Sequence, residues 1–434
     1  MHILFITTHQ NRFWIRLTLT YVCHKCGQNY SQKDLSGSNF CAACGSFLIK
    51  QYTVTDRPAQ SLHKKQYPHA ESEENRENKD LKRVAQNLRQ RTQTTKEYQI
   101  LPQPEQHENS EGGVSEGWIY ESEYDQALKL KADLSRKFEG KSLEEAIQGK
   151  VVSNEHSECY CIYELHNLKF KKPSFEESRE MLLSELKLLP GIGPARELTL
   201  KNQGVKTIEA LVQYPKWRRS AKEFVQLVDS KDVLALQDFL RGSLPKSHPL
   251  SHYLAGFCRN EDFAIIDIET MGLFGRPIIL VGVANVEKNR VCTRQFLVRD
   301  VSEEAGALWE FVSGLNDNSA LITFNGRCFD VPFISERLAY YGLDSELGYP
   351  HFDVLHFARR ALRGRLPNYR LETVEQYLKV KRSINIPGAL VPEFYDSYQH
   401  TGNVGPLVAI VEHNKQDLVT LTQLFCSLYG EWKL

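Results

Sequence analysis

The chain has 434 residues, with 54 Lys plus Arg balanced by 54 Asp plus Glu, so its formal net charge is zero. A global electrostatic pull on nucleic acid or an anionic surface is excluded, and any polyanion affinity must come from local clusters. No stretch approaches the roughly 18 apolar residues that a bilayer-spanning helix needs, and the length suggests two to four domains with ample core.

Residues 1–20 begin an apolar opening, "MHILFITTHQNRFWIRLTLTY", which His, Gln, Asn and Arg interrupt. No small-residue cleavage site follows, so it reads as an ordinary, strand-like segment and not a signal peptide. The expectation is a cytoplasmic protein without membrane partners, in which cysteines serve as metal ligands more readily than as disulfides.

Residues 21–56 carry Cys23-x-x-Cys26-Gly27, with fourteen residues between Cys26 and Cys41, then Cys41-x-x-Cys44-Gly45. Each C-x-x-C-G can form a knuckle in which glycine permits the turn and two thiolates face one ion. Two knuckles supply four sulfurs, the closed tetrahedral set of a structural zinc site, with iron as the alternative metal. The other six cysteines read as core packing. Residues 57–117, rich in Glu, Gln, Asn and Lys and almost free of large aliphatics, read as a disordered linker.

Order resumes at 118–173, a small mixed α/β segment. "SEYDQALKLKADLSRKF" has helical spacing and "ECYCIYELHNL" alternates like a strand. The region 174–250 is mostly helical. It opens with "SFEESREMLLSELKLL", in which Ser174 is an N-cap with Glu177 three residues on. "LKLLPGIGPARELTLKNQGVKTIEALVQYP" resembles a helix-hairpin-helix: one helix ends at Leu189, Pro190 to Gly193 turns, and a second helix starts near Pro194. Gly191 and Gly193 free the backbone to approach a phosphate, and Arg196 lies in the helix that follows. Seven basic against two acidic residues between 190 and 222 suit a polyanion.

In residues 251–434 the pattern turns to strand, strand, strand, helix, strand, helix, an α/β domain. "FAIIDIETMGL" is an apolar strand carrying Asp267 and Glu269, two apart and so on one face. Adjacent carboxylates repel unless a divalent cation binds them. "ALITFNGRCFD" brings Asp330 to the start of a helix near the same sheet end. "PLVAIVEHNKQDLVTLTQLFCSLYG" places His413 and Asp417 four apart on one helical face.

D-x-E, then N-G-x-x-F-D, then H-N-x-x-D resembles the ribonuclease H-like DEDD exonucleases (DnaQ-like). Within them it looks closest to the YprB-like ribonuclease H-like family, which "HFDVLHFARR" (351–360) also resembles. The resemblance covers roughly 262–430. It implies a ribonuclease H-like α/β fold with a mixed five-stranded sheet flanked by helices. It also implies that Asp267, Glu269, Asp330 and Asp417 hold two Mg²⁺ or Mn²⁺ ions, with His413 orienting or deprotonating the water. His413 stands four residues before the last Asp, the spacing at which tyrosine-type members carry Tyr, whereas histidine-type members have five. Asn325 would reach the substrate near its scissile end. The stretch 359–382, with eight basic and two acidic residues, offers phosphate contacts and a stacking face through Tyr369, Arg370 and Tyr377. The expected function is a metal-dependent nuclease on DNA or RNA, a 3′–5′ exonuclease. The alternatives are a ribonuclease H-like or structure-specific endonuclease and a non-catalytic nucleic-acid-binding adaptor.

Overall fold

The structure is a computed structural model. It describes residues 2–8, 11–23, 29–31, 48–55 and 98–101, and residues 118–432 except 274, 288, 289, 344, 345, 381, 383 and 385. The chain divides into two compact units, residues 1–72 and 73–434. No helix of the described residues is long and apolar enough to cross a membrane.

The first unit is an antiparallel sheet of β1 (His2–Thr8), β2 (Asn11–Cys23), β3 (Asn29–Ser31) and β4 (Leu48–Thr55). Strand β2 pairs with each of the other three. Cys23 ends β2 opposite Leu48. Cys26, Cys41 and Cys44 lie outside the described residues, as does most of the span read as a linker. Within that span β5 (Gln99–Leu101) pairs in parallel with β6 (Trp118–Tyr120), and the Tyr98 hydroxyl donates to Glu393.

In the second unit, α1 (Glu121–Lys137) and a short helix α2 (Leu143–Ala146) lead to the hairpin β7 (Lys150–Ser153) and β8 (Glu158–His166). A helical region follows: α3 (Phe175–Ser184), α4 (Pro194–Asn202), α5 (Ile208–Leu211), α6 (Arg218–Ser230), α7 (Val233–Ser243) and α8 (Pro249–Tyr253). Then come β9 (Phe263–Thr270), β10 (Ile278–Glu287), β11 (Arg290–Leu297), α9 (Glu304–Ser313), β12 (Ala320–Thr323), α10 (Asp330–Tyr341) and β13 (His351–Asp353). Helices α11 (Val354–Ala361), α12 (Leu371–Leu378), α13 (Val391–Thr401) and α14 (Gly405–Glu431) complete it.

The sheet corrects the expected strand count. It has seven strands in the order β13-β12-β9-β10-β11-β8-β7, not five. The two additional strands come from the 118–173 segment, because β8 pairs antiparallel along the whole of β11, from Val291↔His166 to Leu297↔Tyr160. The edge of β11 would otherwise leave a row of backbone groups unpaired. Strands β12 and β13 run parallel to β9, and the rest are antiparallel.

Side chains alternate across β9, and the two faces meet different helices. Phe263 and Ile265 pack with Leu418, Leu421, Leu424 and Phe425 of α14. Ala264, Ile266 and Ile268 pack with Phe333, Ile334 and Leu338 of α10. The helical region shares the first of these cores, since Leu236, Leu240 and Leu254 join Phe352, Phe357 and Phe425.

Ser174 caps α3, accepting from the Glu177 amide at 3.1 Å. That helix stops at Ser184 instead of Leu189, because Glu185 leaves helical geometry and Leu186–Leu188 wind as a single 3-10 turn. Leu186, Leu188 and Leu189 then point into the core. Pro194 begins α4 as expected. Cys159, Cys258 and Cys292 are buried and Cys161 and Cys426 half-buried, but Cys328 is exposed because it lies in the turn ahead of α10.

Candidate active site

Asp267 and Glu269 lie on the α14 side of β9, beyond the apolar Phe263 and Ile265. Helix α14 reads the same way in reverse. Its Leu418, Leu421, Leu424 and Phe425 are core, and just before them His413, Asn414 and Asp417 reach the acidic end of the strand. His413 Nε2 stands 3.7 Å from Glu269 Oε1 and 3.5 Å from Asp417 Oδ2. Glu269, Asp330 and His413 are buried.

Asp330 arrives from the other side of the sheet, as the first residue of α10. The preceding turn explains "FNGRCFD". Asn325 adopts a left-handed backbone, φ 64°, a conformation that asparagine tolerates better than most residues. Gly326 packs so tightly that a Cβ there would stand 2.4 Å from Thr323 Cβ. The Asp353 carboxylate at the end of β13 accepts from the Asn325 amide at 2.9 Å and the Arg327 amide at 3.3 Å. It also accepts from Leu355 at 3.3 Å, capping α11. One buried aspartate thus fixes the loop that delivers Asp330.

Four further residues complete the centre, and the sequence reading missed them. Asn414 Nδ2 donates to Asp267 Oδ2 at 2.7 Å and to the Asp267 carbonyl at 3.1 Å. Gln295 Nε2 holds the Asn414 Oδ1 at 2.8 Å. Gly282, paired with Asp267 across the sheet, makes this reach feasible, because a Cβ there would sit 2.2 Å from Asn414 Oδ1. The fourth residue, Arg382, donates from Nη1 to His413 Nδ1 at 2.8 Å and from Nη2 to Asp417 Oδ1. Its Nε and Nη2 also grip Glu375 at 2.8 and 2.9 Å. Asn414 lies inside the H-N-x-x-D motif and was open to notice. No local pattern around Arg382 points 31 residues on to His413.

The electrostatics follow from crowding. Burial pushes the Asp267 carboxyl well above the usual range, the charges of Asp417, Glu269 and Asp330 add to it, and the Asn414 amide opposes it. Burial and the charges of Asp417 and Asp330 likewise raise Glu269, against Arg382. Burial lifts Asp417 to about 6 despite Arg382 beside it. Burial holds His413 down at about 3, with the Arg382 charge adding. An arginine only donates, so His413 Nδ1 accepts and the ring carries its proton on Nε2, facing Glu269 and Asp417. A base role for His413 would require Arg382 to withdraw first.

Among the described residues no three His, Cys, Asp or Glu side chains are drawn together as a ready metal cage. The donor set nonetheless suits hard divalent ions. The charges of Asp417 and Asp330 raise the proton affinity of both Asp267 and Glu269 in a buried pocket that a single arginine only partly neutralises, and oxygen donors of this kind match Mg²⁺ or Mn²⁺.

Of the nucleic-acid candidates, Asn325 lies in the turn that leads to Asp330, and the others lie in the helical region and just before α12. Gly191 has φ +81° and its carbonyl accepts from Arg196, while a Cβ at Gly193 would meet nothing within 4 Å. Asn325 is half-buried, and its side-chain amide has no hydrogen-bond partner among the described residues. Tyr369 packs against the core and its hydroxyl donates to the Leu362 carbonyl at 3.3 Å. Arg370 stands at the N-cap position of α12 without a side-chain capping bond, and its backbone amide donates to Asn368 Oδ1 at 3.0 Å.

Residues 264–429 match the family model of the RNase_H superfamily. The chain is also similar to the "Uncharacterized protein YprB" of Bacillus subtilis (strain 168), with 33% identity over 184 residues. That alignment covers 41% of this chain and 44% of the relative, so the chain spans less than half the length of the protein it matches. With its mixed sheet and the acidic residues at one strand end, the C-terminal part of this chain is a ribonuclease H-like domain.

Proposed function

We propose that the protein is a metal-dependent nuclease that hydrolyses phosphodiester bonds, acting as a 3′–5′ exonuclease. The observation that carries this reading is the convergence of Asp267, Glu269, Asp330 and Asp417 with His413 at one end of β9. The four carboxylates would hold two Mg²⁺ or Mn²⁺ ions. When bound, such ions lower the pKa of the attacking water and stabilise the leaving oxyanion. The chain's own residues orient the participants. Asn414 fixes the rotamer of Asp267, and Asp353 holds the turn that presents Asp330. Arg382 clamps Asp417 and keeps the proton of His413 on Nε2, so that His413 positions a water or phosphate oxygen by donating to it.

The modules outside the domain would grip the substrate. Cys23, Cys26, Cys41 and Cys44 would bind one structural Zn²⁺, and Gly191, Gly193 and Arg196 would meet phosphates. Stoichiometric zinc by elemental analysis tests the first. A Gly191→Val, Gly193→Val double variant that stays folded but binds all sequences more weakly tests the second.

The decisive assay is purified protein with Mn²⁺ or Mg²⁺ on substrates labelled at either end. Stepwise shortening from the 3′ end is expected. Internal cuts would favour the endonuclease reading, and no cleavage of single- or double-stranded DNA or RNA would favour the adaptor.

A further inference from the structure

The helical region and the ribonuclease H-like domain meet at β13, the edge strand of the sheet, and basic residues gather along the join. Gln237 of α7 fastens it: its Nε2 donates to the His351 carbonyl at 3.3 Å and its Oε1 accepts from the His351 amide at 3.0 Å. Two guanidinium groups from opposite sides converge on this link. Arg241 donates to Gln237 Oε1 at 3.2 Å, and Arg327, from the turn that delivers Asp330, donates to the His351 carbonyl.

Further out, Lys246 of the helical region and Arg359 and Arg360 of α11 are exposed. The charges of Lys246, Arg327 and Arg359 all bear on the His356 ring, and that of Arg360 on His248. Nearby acids are already engaged. Asp238 pairs with Arg241 at 2.7 Å, Glu185 pairs with Lys187 at 2.9 Å, and Asp353 serves the turn amides. Among the described residues Lys246, Arg327, Arg359 and Arg360 have no carboxylate at ion-pair distance. Cations crowded without counter-charges destabilise a free surface and suit a polyanion that replaces them.

We propose that this junction is a binding track for the sugar–phosphate backbone of a nucleic-acid strand, with Lys246, Arg359 and Arg360 holding phosphates remote from the bond to be cut. The track begins at Arg327, three residues before Asp330, and runs along the β13 edge onto the helical region. It rests on the nuclease reading for its purpose and on the charge distribution for its existence. The track explains why a nuclease domain shares one core with a helical region: the two together make a continuous phosphate-binding surface that neither makes alone.

The test uses the full chain without divalent metal, so that binding is read without cleavage. Fluorescence anisotropy of a long labelled single strand, DNA in one arm and RNA in the other, is measured over a range of salt. Lys246→Gln, Arg359→Gln, Arg360→Gln is compared with wild type and with Lys129→Gln, Arg136→Gln, which removes exposed charge elsewhere. The expected result is affinity at least about tenfold weaker, with the salt slope reduced by about 0.7 for each phosphate that is no longer neutralised. The control should be unaffected. Unchanged affinity and slope in a folded triple variant, or an equal loss in the control, would overturn the track. Cleavage of a labelled dinucleotide with Mn²⁺ is followed in parallel. Its absence in all proteins would count against the nuclease reading, and the binding comparison would still decide the track. Arg327 is left intact throughout, because its turn belongs to the active centre.

Discussion

Glu304 and Arg337, beneath α9 and α10, form a buried charge cluster that is complete, whereas the one beneath α14 is left in deficit. The Arg337 side chain is 2% and that of Glu304 0% exposed, so each charge is compensated by the other and not by water. Glu304 accepts from Arg337 Nε and Nη2, each at 2.7 Å, from the Tyr341 hydroxyl at 2.9 Å and from the Ile278 amide at 2.9 Å. Charge and lone pairs are both satisfied. At the other site Arg382 serves Asp417 and Glu375, while Asp267 and Glu269 have no lysine or arginine at ion-pair distance among the described residues. A structural ion pair closes on itself. The acidic centre keeps an excess of negative charge that the fold must hold in place, and the excess is what an incoming cation would meet.

The largest effect should come from Asp330→Asn. Hydrolysis is expected to be abolished while the protein remains folded, because removing one charge relieves repulsion in the metal-free state. Metal-free thermal stability should hold or rise, and the stabilisation on adding Mn²⁺ should shrink. A variant that cuts at near wild-type rate would remove the distinction between the clusters. Arg337→Met should do the opposite. It leaves Glu304 buried without a counter-charge and should cost about 3–5 kcal/mol in urea denaturation, whatever metal is present.

Gly282→Ala probes the scaffold of the acidic centre. The added methyl collides with Asn414 and should cost about 1–3 kcal/mol, with a fall in turnover as Asp267 loses its amide. Smaller still is a pH effect that shows what happens to a buried group given no counter-charge. His252 accepts from Trp432 Nε1 at 2.7 Å and stacks on Phe357, and burial holds its pKa at about 3. The unfolded chain, with a pKa near 6.5, then binds the extra proton. Stability attributable to His252 is complete above about pH 6.5 and declines as pH falls toward 3, by up to about 2 kcal/mol at pH 5. His252→Gln, which keeps an acceptor for Trp432, should flatten that part of the urea-midpoint profile.

The sequence made the carboxylates legible because each sits at a fixed offset within its own element: two apart on a strand, first in a helix, four apart on a helical face. What it hid were partners that the chain supplies from afar. Asn414 is 147 residues from Asp267, and Arg382 is 35 from Asp417. Gly282 reads as an unremarked strand residue until its cross-strand neighbour is known. The alternation of β8 marks it as a strand, but nothing local says that its edge partner is β11, so the expected sheet falls two strands short. Asp353 lies in a stretch noted for its resemblance, yet its task is spent on backbone amides and leaves no pattern of residue types.

The 27 residues of α14 also limit how this protein can change over time. Leu407, Ile410 and Val411 belong to one core and Leu418, Leu421 and Leu424 to another, with His413, Asn414 and Asp417 between them. Each residue advances a helix by about 100°. A single insertion or deletion between Val411 and Leu418 would turn one half against the other, so that either a core or the acidic centre loses its phase. Substitutions at the exposed end of α14, at Ser427 and Gly430, are open, but a change of length in those few positions cannot be repaired locally. Insertion scanning should find this short stretch closed to any change of register.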